Sequence, residues 1–343
     1  MAEESGRSGW KVCIHCATYN HEKYITKTLE GFVMQKTAFP FVAVVIDDCS
    51  TDLTASIVRD YEKRYPDIIK GIYLEENYRS QKKPKRGFFV PFDQQTEYIA
   101  ICEGDDYWTD PNKLQKQVEF LDANRDFGLC YTDFDLLDES VNQYSQAVFE
   151  NGIYKRPTTF EEHLVGCGYI APMSWVYRKT VFENLEYKRF TDGTFSYALA
   201  FFKQSKVHYI PEVTCVYRAH PKSISRPTSS KGFFRQYKGV FDTQMYFAEK
   251  YQVSEDLVKL IKSGSYVRLL PSAIQSKQSE FIEEAASFFK ENNINFDEIL
   301  KLSKDLLQAR QDGRQARKTH AYRIGKAILK PVERVKRIKQ LFK

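Results

Sequence analysis

The sequence predicts an α/β protein, a doubly wound, mostly parallel sheet followed by a helical C-terminal extension. Three observations predict it. Short apolar runs alternate with helical patterns over residues 11–121. One of those runs, Phe41 to Ile46, is apolar without interruption, as in strands buried on both faces. Polar clusters follow the runs at the end where a parallel sheet gathers its loops.

Taken in order, Lys11 to Cys16 reads as a strand, and Lys23 to Gln35 as a helix with Ile25, Leu29, Phe32 and Val33 on one face. Phe41 to Ile46 is the second strand, closed by Asp47-Asp48; Ser50-Thr51-Asp52 supplies N-cap chemistry for a helix to about Arg64. Ile68 to Leu74 and Tyr98 to Cys102 are the third and fourth strands. Asp110-Pro111 starts a helix to Leu121, with Leu114, Val118 and Leu121 inward. Beyond about residue 150 the alternation is lost, through GCGYIAP (166–172) and the loop-like HPKSISRPTSSKG (220–232). Thr194 to Phe202 reads as a helix, Val207 to Ile210 as strand-like, and the chain from Phe233 onward as helical.

With 343 residues, 42% of them hydrophobic, the chain can bury a substantial core. Its N-terminal MAEESGRSGW has no apolar h-region, and its longest apolar run, Phe39 to Ile46, falls far short of a spanning helix. Seven cysteines in apolar surroundings fit a reducing compartment better than a disulfide framework. The expectation is a cytoplasmic protein. Cys13-Ile14-His15-Cys16 has the look of a metal motif, but no second cysteine pair stands at zinc spacing, and alternate residues of a strand face opposite ways.

Three polar clusters close the predicted strands: ATYNHEKY (17–24), DDCSTD (47–52) and EGDDYW (103–108). One crevice then holds Tyr19, Asn20, Asp48 and Asp105. A planar ring stacks on Tyr19, and a carboxylate such as Asp48 accepts a ring N–H. Glu103, Asp105 and Asp106 offer oxygen ligands to a divalent cation, Mg²⁺ or Mn²⁺, of the kind that bridges to phosphates. Ring, diphosphate and metal together describe a nucleotide-diphosphate ligand. Each feature also has a plainer reading: EGDD as a solvated turn, and Tyr19 as core packing. The basic loop NYRSQKKPKRG (77–87) reads as solvated, or else as closing over diphosphate or acceptor.

These residues resemble the inverting family 2 glycosyltransferases of the GT-A fold. The resemblance rests on Ala17-Thr18-Tyr19-Asn20, on Asp47-Asp48-Cys49-Ser50-Thr51-Asp52, and on Glu103-Gly104-Asp105-Asp106, with Trp108, Pro111, Lys113, Leu114 and Gln117 in family-like places. It covers roughly residues 10–220. Two departures stand out: Ala17 replaces a usual Pro, and Glu103 replaces the first Asp of the metal motif. The resemblance implies a GT-A domain over 1–225, its nucleotide-binding half about 10–130 and its acceptor half about 131–225, with 226–343 as a separate helical region. It implies that Ala17, Tyr19, Asn20, Asp48 and Asp105 bind the donor nucleotide, a UDP-type sugar donor, and that Mn²⁺ or Mg²⁺ sits on Glu103, Asp105 and Asp106. It implies a catalytic base, best matched by Asp192, and basic contacts to the diphosphate, best matched by His220 and Arg226. Asp192 also reads as a plain N-cap for the helix after it. The acceptor implied is a hydroxyl of a glycan or lipid-linked glycan.

Two other classes stay open on the sequence. A nucleotidyltransferase making sugar nucleotides wants a Gly-rich phosphate loop after the first strand, and HCATYNHEKY has no glycine. A non-catalytic nucleotide-sugar-binding or membrane-adaptor protein is the third class.

The net charge of +6 hides an asymmetry: residues 314–343 carry +10, which leaves −4 for residues 1–313. Ile324, Ile328, Val332, Val335, Ile338 and Phe342 recur at spacings of four and three among those basic residues. Such a tail suits an anionic membrane surface on the cytoplasmic face, or else packs on the acidic body. Nucleic acid is not an expected partner, since aromatic interleaving and a nucleic-acid fold signature are both missing.

Overall fold

The structure, a computed structural model, describes residues 9–185, 193–220 and 229–311. These fall into two compact units, residues 9–185 with 194–220, and residue 193 with 229–311. The boundary expected at residue 225 lies outside the described residues.

In the first unit β1 (Val12–Thr18) pairs in parallel with β2 (Phe41–Asp47), which pairs in parallel with β3 (Ile69–Tyr73). All seven residues of β2 are buried, which is why the sequence shows no polar alternation there. On the other side β1 pairs in parallel with β4 (Tyr98–Ile101). The register Thr18↔Asp47 makes β1 and β2 end at the same level, so the clusters after them start side by side. Helices α1 (Ile25–Val33) and α2 (Thr54–Arg64) lie against each other, and α2 lies against β2 and β3. The opposite face of β1 and β2 is covered around the short α3 (Val90–Asp93), where Cys13, Val42, Val44, Ile46 and Phe89 form one apolar cluster.

The sheet then continues where the sequence pattern gave no guide. Its full order is β3-β2-β1-β4-β8-β6-β9-β5. Strand β5 is Tyr107–Trp108, β6 is Phe127–Asp138, β7 is Gln143–Ser145, β8 is Trp175–Arg178 and β9 is Lys206–Ala219. The long ladders are parallel, β6 with β9 included, and the antiparallel ones (β4–β8, β6–β8, β6–β7, β5–β9) span two or three residue pairs each. Helix α4 (Lys113–Ala123) anchors this half. Its Lys113, fully buried, gives its ammonium to Gln117 Oε1 at 2.5 Å and lies 4.7 Å from the Trp108 ring; Gln117 in turn donates to the carbonyls of Cys130 and Ser174. The Trp108, Lys113 and Gln117 pattern is therefore a structural lock between β5, α4 and β6. Helices α5 (Phe160–Gly166), α6 (Lys179–Glu183) and α7 (Gly193–Gln204) complete the unit.

The element bounds differ from the sequence expectations in instructive ways. The first helix is shorter at both ends, Ile25–Val33, and is entered through a turn in which His21 O accepts from the amides of Tyr24 and Ile25. Helix α2 starts at Thr54, with the Asp52 carboxylate accepting the Thr54 amide at 2.9 Å. The strand-like Val207–Ile210 is part of a 14-residue strand, running through Pro211 and Glu212 at an irregularity in the β6–β9 register. Residues 230–232, read as loop, are the first turn of the next helix.

The second unit is helical, as expected from Phe233 onward. It holds α8 (Ser230–Lys250), α9 (Glu255–Gln275), α10 (Ser279–Glu291) and α11 (Phe296–Gln311). Tyr266 of α9 is its hub, packing on Phe241, Phe281, Phe288 and Phe289 while its hydroxyl donates to Glu284 at 2.6 Å. No helix among the described residues is long and apolar enough to cross a membrane.

Candidate active site

The loops after β1 and β2 form one body. Asn20 and Cys49 adopt left-handed backbone conformations, φ +53° and +62°. Asn20 N donates to Ser50 Oγ, His21 N to Thr54 Oγ1 and Glu22 N to Asp52 Oδ2. In return Thr51 N donates to Asn20 Oδ1 at 2.8 Å, and Leu53 N donates to Glu22 Oε2. Asn20, expected at the nucleotide, thus spends its side-chain carbonyl on the neighbouring loop. Tyr19 is 41% exposed, so its ring is open on the crevice rim instead of packed in the core. Ala17 is half-buried, and its carbonyl accepts the Gly104 amide at 3.0 Å.

Asp48 is fully buried. Its carboxylate accepts the amides of Tyr78 (2.8 Å) and Arg79 (3.2 Å) and the Lys85 ammonium (3.0 Å), while its own carbonyl accepts from Asn77 Nδ2. The basic loop 77–87 keeps Arg79, Lys82, Lys83 and Arg86 exposed, as its solvated reading expects, but Asp48 fastens it at Tyr78, Arg79 and Lys85. Sequence alone gave no reason to single out Lys85 among five basic residues there.

The EGDD carboxylates part company. Asp105 Oδ2 lies 3.1 Å from His220 Nε2, and one ring nitrogen of His21 joins them, all three ligand atoms lying within 4.8 Å of one another. Burial works to raise the Asp105 carboxyl, but the His220 hydrogen bond and the His21 charge hold it below its usual range. Asp106 points the other way. Its Oδ1 accepts the Arg218 amide of β9 at 2.8 Å, and burial followed by the Asp105 charge pushes its carboxyl well above the usual range. Glu103 is exposed, and its carbonyl accepts the Asp106 amide. The structure thus brings Asp105 and His220 together with His21, and does not gather Glu103 and Asp106 onto the same point.

The pairing of β5 with β9 (Tyr107↔Val216) is what delivers His220 to Asp105. It also delivers Arg218, whose guanidinium lies 4.5 Å from the Tyr24 ring and 5.1 Å from the Tyr107 ring, with Nε 3.4 Å from Glu139 Oε1. Among the described residues, Arg218, whose charge acts on Asp106, and the two histidines at Asp105 are basic side chains that the acidic cluster meets. His21 stands in the ATYNHEKY cluster and Arg218 beside His220, yet nothing in the sequence marked either.

The donor set fits a divalent ion. Among the described residues, the buried Thr18 Oγ1 and His21 Nδ1 have no hydrogen-bond partner, and both face Gly104, where a Cβ would stand 2.5 Å from the first and 3.0 Å from the second. Only glycine leaves that space. A second group, Cys13, His15 and Asp93, lies elsewhere on β1: His15 Nε2 is 2.6 Å from Asp93 Oδ1, and the His15 ring stacks on Phe89. Asp192, Arg226 and the tail 314–343 lie outside the described residues.

The comparisons with known proteins agree with this geometry. An uncharacterised protein of Mycobacterium tuberculosis is 40% identical over 120 residues, 33% of this chain and 32% of that one. The poly(ribitol-phosphate) beta-N-acetylglucosaminyltransferase TarS of Staphylococcus aureus is 35% identical over 118 residues, 33% of this chain and 19% of that one. The matches thus span a third or less of these curated relatives' length. The crystal structure of S. aureus TarS residues 1–349 in complex with UDP-GlcNAc superposes with a TM-score of 0.53 at 15% identity, over 89% of this chain and 92% of that one, and so shares the fold. The profile of Glycosyl transferase family 2 matches residues 13–186, half of the chain; together with the GT-A architecture and the crevice at the ends of β1, β2 and β4, it establishes that the chain belongs to glycosyl transferase family 2.

Proposed function

We propose that this chain transfers a sugar, with inversion, from a nucleotide-diphosphate donor to a hydroxyl of a glycan or lipid-linked acceptor, using a divalent ion, Mn²⁺ or Mg²⁺. The observation that carries the reading is the meeting of Asp105 and His220 at 3.1 Å, at the end of the sheet where the exposed Tyr19 follows β1. In this reading the Tyr19 ring takes one face of the nucleobase, and the loop fastened by Asp48 borders it. The UDP-GlcNAc bound to TarS, which shares the fold, supports a uridine donor.

Asp105 and His220 would hold the ion, which supplies positive charge against the departing diphosphate. Asp192, directly before α7, accepts the proton of the acceptor hydroxyl as the new C–O bond forms on the face opposite the leaving group. Arg226 contacts the diphosphate. The basic tail holds the enzyme to an anionic membrane surface on the cytoplasmic face.

Thermal-shift screening of UDP- and GDP-sugars with and without Mn²⁺, followed by assay of slow donor hydrolysis, tests the reading. Stabilisation and hydrolysis by one nucleotide sugar, both lost in Asp105→Asn, are expected; no stabilisation by any nucleotide sugar overturns it.

A further inference from the structure

We infer that His21 is a third protein ligand of the ion, so that the site is loaded before the nucleotide arrives and favours Mn²⁺ or Co²⁺ over Mg²⁺. This rests on the metal reading above and adds to it a ligand, an order of binding and a selectivity.

The position of His21 is fixed from several sides. Its amide donates to Thr54 Oγ1 at 2.8 Å, and its carbonyl accepts the amides of Tyr24 and Ile25 at the start of α1. Its ring stands edge-on to the His220 ring, centroids 6.2 Å apart. A buried ring nitrogen that meets no hydrogen-bond partner among the described residues is costly to keep out of water unless a ligand meets it. Gly104 keeps open the space in front of that nitrogen, since a Cβ there would lie 3.0 Å away. One ring nitrogen of His21 lies with the Asp105 and His220 donor atoms, all within 4.8 Å of one another, close to the roughly 3–4 Å that separates neighbouring ligands around one ion.

Three protein donors change the chemistry. A Mg²⁺ bound by one or two carboxylates depends on substrate phosphates for the rest of its shell. One carboxylate and two imidazoles hold an ion without phosphate, and imidazole nitrogen suits the transition metals more than Mg²⁺.

Calorimetric and spectroscopic titration of the full chain with Co²⁺, Mn²⁺ and Mg²⁺, each without nucleotide, tests the proposal. The wild type should bind Co²⁺ with a visible absorption change and should bind Mg²⁺ at least about tenfold more weakly. His21→Ala should weaken Co²⁺ by about tenfold or more. His21→Asp should bind again while narrowing the Co²⁺-to-Mg²⁺ gap, a change that a merely structural histidine would not produce. Unchanged Co²⁺ affinity in His21→Ala, with affinity lost in Asp105→Asn, removes His21 from the site and leaves the metal reading standing. Binding that appears only once UDP is added overturns the early-loading order. No binding with or without UDP overturns both the inference and the metal reading beneath it.

Discussion

His220 stands 3.1 Å from Asp105 although 115 residues separate them, and that contact joins the end of β9 to the loop after β4. Removing either partner should therefore damage the same step. Asp105→Asn and His220→Ala should each lower metal-dependent turnover by tenfold or more, and the double variant should lose little beyond the worse single one. Steady-state rates across a Mn²⁺ titration check this; additive losses would show that the two residues act separately.

Asp192→Asn should keep donor affinity nearly intact while turnover drops by roughly 10²-fold or more, the scale of a lost general base. The measurement is UDP-sugar binding beside kcat. Equal losses in both would mark Asp192 as a donor-site or structural residue.

Asp48, fully buried, pairs at 3.0 Å with Lys85, whose side chain is 20% exposed, and Lys85→Met removes that cation while leaving the carboxylate its two amide donors. Unfolding free energy should fall by about 1–3 kcal/mol, the scale of one buried group losing a partner, and adding Asp48→Asn should recover part of it. Asp48→Ala should also weaken UDP binding by calorimetry, since the loop it fastens would come loose. Unchanged UDP affinity would place the nucleobase elsewhere.

His163 is buried, neither ring nitrogen has a hydrogen-bond partner among the described residues, and its ring packs on Phe195 and Phe202. Burial lowers its pKa to about 3, against about 6.5 in an unfolded chain. Between those values the unfolded state binds a proton that the folded state does not, so stability rises with pH and is lost on acidification. The loss should run near 1.4 kcal/mol per pH unit below about 6.5. In His163→Leu the slope of melting temperature against pH from 6.5 to 4 should be shallower; parallel slopes would show that His163 titrates normally.

Ending the chain near Arg314 removes +10 of charge and no residue of the crevice. Activity on a soluble acceptor should survive, while binding to anionic vesicles should fall sharply and, in the intact protein, should weaken as salt rises. Vesicle binding untouched by truncation, or an unfolded product, would mean that the tail packs on the protein itself.

The strands legible in the sequence include β1, β2 and β4, whose residues are nearly all buried. Strand β2 has no polar residue before Asp47, and the motifs after β1, β2 and β4 stand at their ends because parallel strands point the same way. Strands β6 and β9 were hidden by their own exceptions. Phe127–Asp138 carries Asp133 and Asp135 in the strand; Asp133 is satisfied by the amides of Phe134, Phe149 and Glu150, partners that no local pattern reveals. Pro211 interrupts β9, where a register shift accommodates a residue that cannot donate to the ladder. The same distance effect applies to the site. EGDD announced its charge, but which carboxylate faces His220 and which faces the Arg218 amide is decided by β5 pairing with β9. Strand alternation did place Cys13 and His15 on one face, yet Asp93, their partner from a distant helix, could not be read from spacing.

The six hydrogen bonds that clasp residues 20–22 to residues 50–54 bear on the entropy of donor capture. Immobilising a mobile side chain on binding costs about 0.5–1.5 kcal/mol, and a wall already frozen by its own bonds escapes that loss. This wall of the crevice is rigid before any ligand arrives. The conformational freedom surrendered when a nucleotide docks must then come from the ligand itself and from parts of the crevice that the clasp does not hold.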